Sequence, residues 1–146
     1  MSFPVVAMLV AASMGCGSRV PAPTASGEEP GAPASQAAPI QVTLRVGEAH
    51  ELAGGKGTVT FSGVAADSRC PKGVTCVWEG DAAVDLRVQS GSAEPVTVQL
   101  HTNDRFDREG TAAGLRLRLE SLDPYPEADR PIAAGDYRVV LSISTR

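Results

Sequence analysis

Val84-Asp85-Leu86-Arg87-Val88-Gln89-Ser90-Gly91-Ser92-Ala93-Glu94-Pro95-Val96-Thr97-Val98-Gln99-Leu100 holds two alternating runs joined by a short break. Alternation puts Val84, Leu86 and Val88 on one side and Asp85, Arg87 and Gln89 on the other, which is the period of a half-buried strand and not of a helix. The second run repeats it with Val96, Val98 and Leu100. Ser90-Gly91-Ser92-Ala93 is turn chemistry, so the two predicted strands form an antiparallel hairpin.

Working outward, the same alternation recurs in Ile40, Val42, Leu44 and Val46, in Val59 and Phe61, in Leu115, Leu117 and Leu119, and in Tyr137, Val139, Leu141 and Ile143. Breakers such as Gly54-Gly55-Lys56-Gly57 and Ala134-Gly135-Asp136 separate the runs. Six or seven strands, each apolar on one face, can hide those faces only against one another. The expectation is an all-β domain over 40–146, an immunoglobulin-like antiparallel β-sandwich, with a barrel as the second architecture. Aromatic residues make up only 4% of the chain, so Val, Leu and Ile must build the core.

The charge balance narrows the partners. A net charge of -4 and only two lysines, Lys56 and Lys72, provide no basic stripe, and nucleic acid is not an expected ligand. Of the 146 residues, the first 39 read differently from the rest. Phe3 to Gly15 is an apolar run too short for the roughly 20 residues that span a bilayer, and it ends at Cys16. Ser13-Met14-Gly15-Cys16 resembles the bacterial lipobox, although Ser13 stands where that motif has Leu and Met14 where it has a small residue. The resemblance implies a lipoprotein signal peptide at 1–15 and lipidation of Cys16, with palmitate-type acyl chains holding the chain to a membrane. Residues 16–39 contain almost no large apolar side chain and are expected to form a disordered tether rich in Pro, Ala, Gly and Ser.

The most distinctive stretch lies between two predicted strands: Asp67-Ser68-Arg69-Cys70-Pro71-Lys72-Gly73-Val74-Thr75-Cys76-Val77-Trp78-Glu79-Gly80-Asp81. Export makes a Cys70–Cys76 disulfide chemically permissible, and the wide spacing in a β-rich domain fits a structural bridge better than a thiol-redox pair. Closing so small a ring is worth about 2.4 kcal/mol on the chain-entropy estimate. Asp67, Arg69, Lys72, Trp78, Glu79 and Asp81 form the candidate interaction surface. Two plainer readings stand beside it: the charges pair among themselves and fix the loop to the sheet, and Trp78, a lone tryptophan beside a disulfide, belongs to the core. A third reading offers Pro71 to Thr75 to a protease as a braced inhibitory loop, with Lys72 entering the specificity pocket.

This stretch resembles a group of uncharacterised small bacterial envelope lipoproteins that share D-S-R-C-P-x-x-V-x-C-x-W-x-G-x-x-x-V, here Asp67, Ser68, Arg69, Cys70, Pro71, Val74, Cys76, Trp78, Gly80 and Val84. The similarity continues around Pro124-Tyr125-Pro126. Relatives often carry Ala where this chain has Glu79. The resemblance implies a location in the bacterial envelope, lipid-anchored at the outer membrane and facing the periplasm or the cell surface, with an envelope protein as partner. It implies no chemistry.

Catalytic patterns are missing from the sequence: it has no G-x-S-x-G, no H-E-x-x-H and no phosphate-cradling glycine loop. Asn103 to Gly110 groups several carboxylates but lacks calcium-loop spacing and contains Arg105 and Arg108, so it reads as a solvated hairpin loop. His50 and His101 are the only imidazoles and fall on polar strand positions. Neither metal nor cofactor is expected, and the chain reads as a binding or structural module and not an enzyme.

Overall fold

The computed structural model describes residues 38–145; the leader, Cys16 and most of the tether lie outside the described residues. Eight strands follow in chain order: β1 (Ile40–Arg45), β2 (Ala49–Leu52), β3 (Gly57–Asp67), β4 (Ala82–Gln89), β5 (Val96–His101), β6 (Glu109–Ala112), β7 (Leu115–Asp123) and β8 (Arg138–Thr145). They form two antiparallel four-stranded sheets, ordered β1-β8-β7-β6 and β2-β3-β4-β5.

The sandwich assembles because each sheet has one apolar face. Val59, Phe61, Val84, Leu86, Val88 and Leu100 come from one sheet and Leu44, Leu115, Leu117, Leu119, Val139, Leu141 and Ile143 from the other, all 2% exposed or less and all in one cluster. Burying each such side chain contributes roughly 1.5–3 kcal/mol. The predicted hairpin is present, with Val84 opposite Leu100 and Val88 opposite Val96.

Three expectations need correction. The connectivity is not that of an immunoglobulin-like sandwich, in which strands next to one another in sequence repeatedly cross between sheets. Here β2 to β5 run as one meander and β6 to β8 as another, and β1 closes onto β8. Second, the described residues hold eight strands. The two that alternation did not reveal, β2 and β6, are four residues long, and β6 has no large apolar residue. Third, Glu109 and Gly110 belong to β6 and not to a solvated loop. Gly110 is what lets β6 approach β5, since a Cβ there would lie 2.7 Å from Val98 Cγ1.

The two long strands carry register shifts, between Phe61 and Ala66 in β3 and between Leu119 and Ser121 in β7. Bulges bend a strand and re-aim its end. Both bulged ends, Asp67 and Asp123, lead into the connections that meet at one end of the domain, the Cys70–Cys76 ring and the segment 124–136 before β8. The Asp123–Pro124 peptide is cis.

Candidate functional site

The Cys70–Cys76 disulfide is present, with Cα atoms 6.0 Å apart. The chain enters and leaves the ring side by side: Ser68 N donates to Asp81 O (2.7 Å) and Cys70 N donates to Glu79 O (2.8 Å). The ring is thus a rigid projection on a two-stranded stalk.

Beneath it, Arg69 is 7% exposed, and each of its three guanidinium nitrogens donates a hydrogen bond. Nε donates to Asp67 Oδ1 (2.9 Å) and Nη2 to Asp67 Oδ2 (2.6 Å), while Nη1 reaches Leu122 O (2.7 Å) and Nη2 also reaches Pro124 O (3.0 Å). Its guanidinium lies 5.2 Å from the centre of the Tyr125 ring. Tyr137 completes the group by donating its hydroxyl to Asp67 Oδ2 at 3.1 Å. A planar fork with five donors is suited to this work, since it satisfies a carboxylate and two carbonyls at once. The two distinctive sequence stretches, Asp67 to Cys70 and Pro124-Tyr125-Pro126, are therefore halves of one clamp.

A second bracket holds the other side. Asp81 accepts from His101 Nδ1 (2.5 Å), Thr102 Oγ1 (3.2 Å) and Asn103 N (3.0 Å), and Asn103 Nδ2 donates to Gly80 O (2.8 Å). Asp104 pairs with Arg108 at 2.8 Å, so this carboxylate serves the geometry of its own loop.

The candidate surface accordingly divides in two. Asp67 and Arg69 face inward with their polar atoms used by each other and by the backbone, and Asp81 is bound to the β5–β6 connection. Lys72, Trp78 and Glu79 are exposed. Trp78 corrects the core expectation: it is 48% exposed, because it sits in the stalk four residues before β4 begins and the inter-sheet space is already filled. Around it lie Val74 and Val77, the latter projecting wholly into solvent, and across a cavity of about 500 Å³ stands Tyr125. Tyr125 is the functional candidate that reading by residue type passed over. Its one signal was its place between two prolines.

Lys72 projects its side chain outward, with Nζ 5.6 Å from the Tyr125 ring centre. Its main chain is not free: Lys72 N donates to Pro126 O (2.9 Å) and Ala128 N donates to Lys72 O (3.3 Å).

The carboxyls of both brackets sit below their ordinary value of 3.8. Burial pushes Asp67 upward, but the hydrogen bonds and charge of Arg69, with the Tyr137 hydroxyl, outweigh it. For Asp81, burial is likewise outweighed by His101, Asn103 N and Thr102. Burial and the Asp67 charge raise Tyr137. A carboxyl whose folded value is depressed contributes stability that is complete above its unfolded value and is lost as pH falls through the folded one. The thermal midpoint should therefore stay nearly level from pH 7 to about 5 and drop below about pH 4, and Asp67→Asn should flatten that drop. Circular-dichroism melts from pH 7 to 2.5 check this; an unchanged acid limb in Asp67→Asn contradicts it.

No protein-family model, curated protein or solved structure matches the chain.

Proposed function

We propose that this chain is a lipid-anchored protein of a bacterial cell envelope whose β-domain acts as a binding module, with its contact face at the disulfide ring. The observation that supports the reading is the exposed apolar group of Val74, Val77 and Trp78 beside Tyr125, carried on the ring and the stalk leaving it, which the Arg69 clamp and the disulfide hold still. A small, acidic domain gains nothing in stability from holding a valine and a tryptophan in water. A rigid presented surface does reduce the ordering cost of binding a partner. The anchor at Cys16 rests on the leader sequence, and an exported location is in keeping with the disulfide.

In architecture we read the fold as a flattened up-and-down barrel that shares with an immunoglobulin-like sandwich its two facing sheets. The protease-inhibitor reading of Lys72 has less support. A substrate-like loop must offer its main-chain N–H and C=O to the protease, and those of Lys72 are bonded to Pro126 and Ala128.

The test is affinity capture from a detergent extract of the envelope on immobilised full chain, run beside Val77→Ser/Trp78→Ser. The expected result is a partner retained by the native protein and lost from the variant. Identical capture by both removes the Val77 and Trp78 side chains from the binding face.

A further inference from the structure

We propose that the concavity between Tyr125 and the end of the β1-β8-β7 sheet is a site for a short peptide carrying both a free carboxylate and a free ammonium group; this deepens, and rests on, the reading of this end of the domain as its binding face. The cavity measures about 540 Å³, within the usual range for small-ligand sites. Its floor is set by strand register. Arg45 lies directly opposite Arg138 in the β1–β8 pair, and Arg138 lies opposite Asp123 in the β8–β7 pair, so the three side chains stand in a row on one face. Like charges directly opposite one another weaken a sheet.

Asp123 offsets part of that cost from the other side of Arg138, yet among the described residues no ion pair forms along the row. Among the described residues Arg69, Arg108, Arg118 and Arg130 each have a carboxylate within 4.0 Å; the three cations of this cavity, Arg45, Arg138 and Lys72, have none, as is also true of the exposed Lys56, Arg87, Arg105 and Arg116 elsewhere. Yet Asp123, Glu127 and Asp136 line the same cavity. Three cations and three carboxylates thus share one concavity without collapsing onto each other, although Glu127 also has Arg130 at 3.6 Å. A phosphate or other polyanion would meet the three carboxylates. A ligand with one charge of each sign satisfies both sets, its carboxylate taken by the facing guanidinium forks and its ammonium by the acids.

The walls are set before any ligand arrives. Arg69 holds Leu122 O and Pro124 O from behind, and Lys72 N holds Pro126 O. The Tyr125 ring, 41% exposed, offers an apolar wall for the body of the peptide. The clamp that looks purely structural is, on this view, what shapes the pocket.

The experiment is a titration of the isotope-labelled full chain, disulfide intact, with trialanine, N-acetyl-trialanine and trialanine amide, read by amide chemical shifts. Trialanine is expected to give saturable shifts at Arg45, Asp123 and Arg138. Blocking either terminus should raise the half-saturation concentration about tenfold, as should Arg45→Gln/Arg138→Gln, whose retained shift dispersion shows that it folds. No shifts at these positions, or shifts indifferent to blocking or to the double variant, overturn the proposal. Shifts confined to Gly73, Val77 and Trp78 also overturn it while leaving the ring as a binding face, and the capture experiment scores that broader reading without using a peptide.

Discussion

Arg69→Leu lowers stability by about 3 kcal/mol, a fall in thermal midpoint on the order of 10–15 °C for a domain of this size. Leucine fills much of the arginine's volume, so lost packing is the smaller part. The larger part is that Asp67 keeps its 11% side-chain exposure and loses the cation 2.6 Å from it, and that Leu122 O and Pro124 O lose their donors. Removing one member of a buried pair strands the other, which costs more than the pair's net worth. The effect has a pH signature that mere loss of packing lacks. Without the Arg69 guanidinium, burial of Asp67 is opposed only by the main-chain N–H of residue 69 and the Tyr137 hydroxyl, so its carboxyl rises from the native value. A carboxyl less depressed in the folded state contributes less stability above its unfolded value, and the difference closes as pH falls. The deficit of Arg69→Leu relative to the native protein should therefore be large at pH 7 and shrink toward pH 3. Asp67→Asn in the same background should recover part of the loss at pH 7. A deficit that is equal at both pH values, with no recovery, removes the electrostatic account of the clamp.

The strands were legible in the sequence wherever one face is buried and the pleat is regular. Val84 to Val88 and Tyr137 to Ile143 alternate because their inward residues meet the opposite sheet and their outward residues meet water, whereas in β5 only Leu100 is fully buried and Val96 is 51% exposed. Legibility failed where packing no longer dictates alternation. β6 is placed by its pairing to β7 and by the room Gly110 leaves, and neither has a hydrophobic period. Connectivity was illegible for a different reason: alternation says which face of a strand is buried, never which strand lies beside it.

The site divides along the same line. The Cys70–Cys76 bridge could be read from residue type and context. That Arg69 reaches 55 residues along the chain to Pro124 could not, because nothing local distinguishes a clamping arginine from a ligand-binding one. Residue type leaves Trp78 open to a core or a surface reading, and the chain path of the stalk, which a composition cannot express, turns it outward.

Gly80→Ala is the substitution expected to do most damage for the fewest atoms. Gly80 has φ +76°, in the region that favours glycine, and a Cβ there would overlap Ser68 O while lying 2.7 Å from Arg69 Cα. These neighbours are backbone and cannot swing aside. They are also bonded on both sides of the insult, through Ser68 N to Asp81 O and Cys70 N to Glu79 O. Relief requires parting the stalk, which pulls Arg69 off Leu122 and Pro124 together. The two contributions separate experimentally. Gly54 has nearly the same backbone, φ +79°, with nothing within 4 Å of its would-be Cβ, so Gly54→Ala reports conformational strain alone, about 1 kcal/mol. Gly80→Ala should cost about 3–4 kcal/mol, more than loss of the disulfide at about 2.4 kcal/mol. Denaturant unfolding of the two alanine variants side by side measures the difference. If they are equally destabilised, the close approach of the stalk strands at Ser68 and Gly80 is not what holds the ring in place.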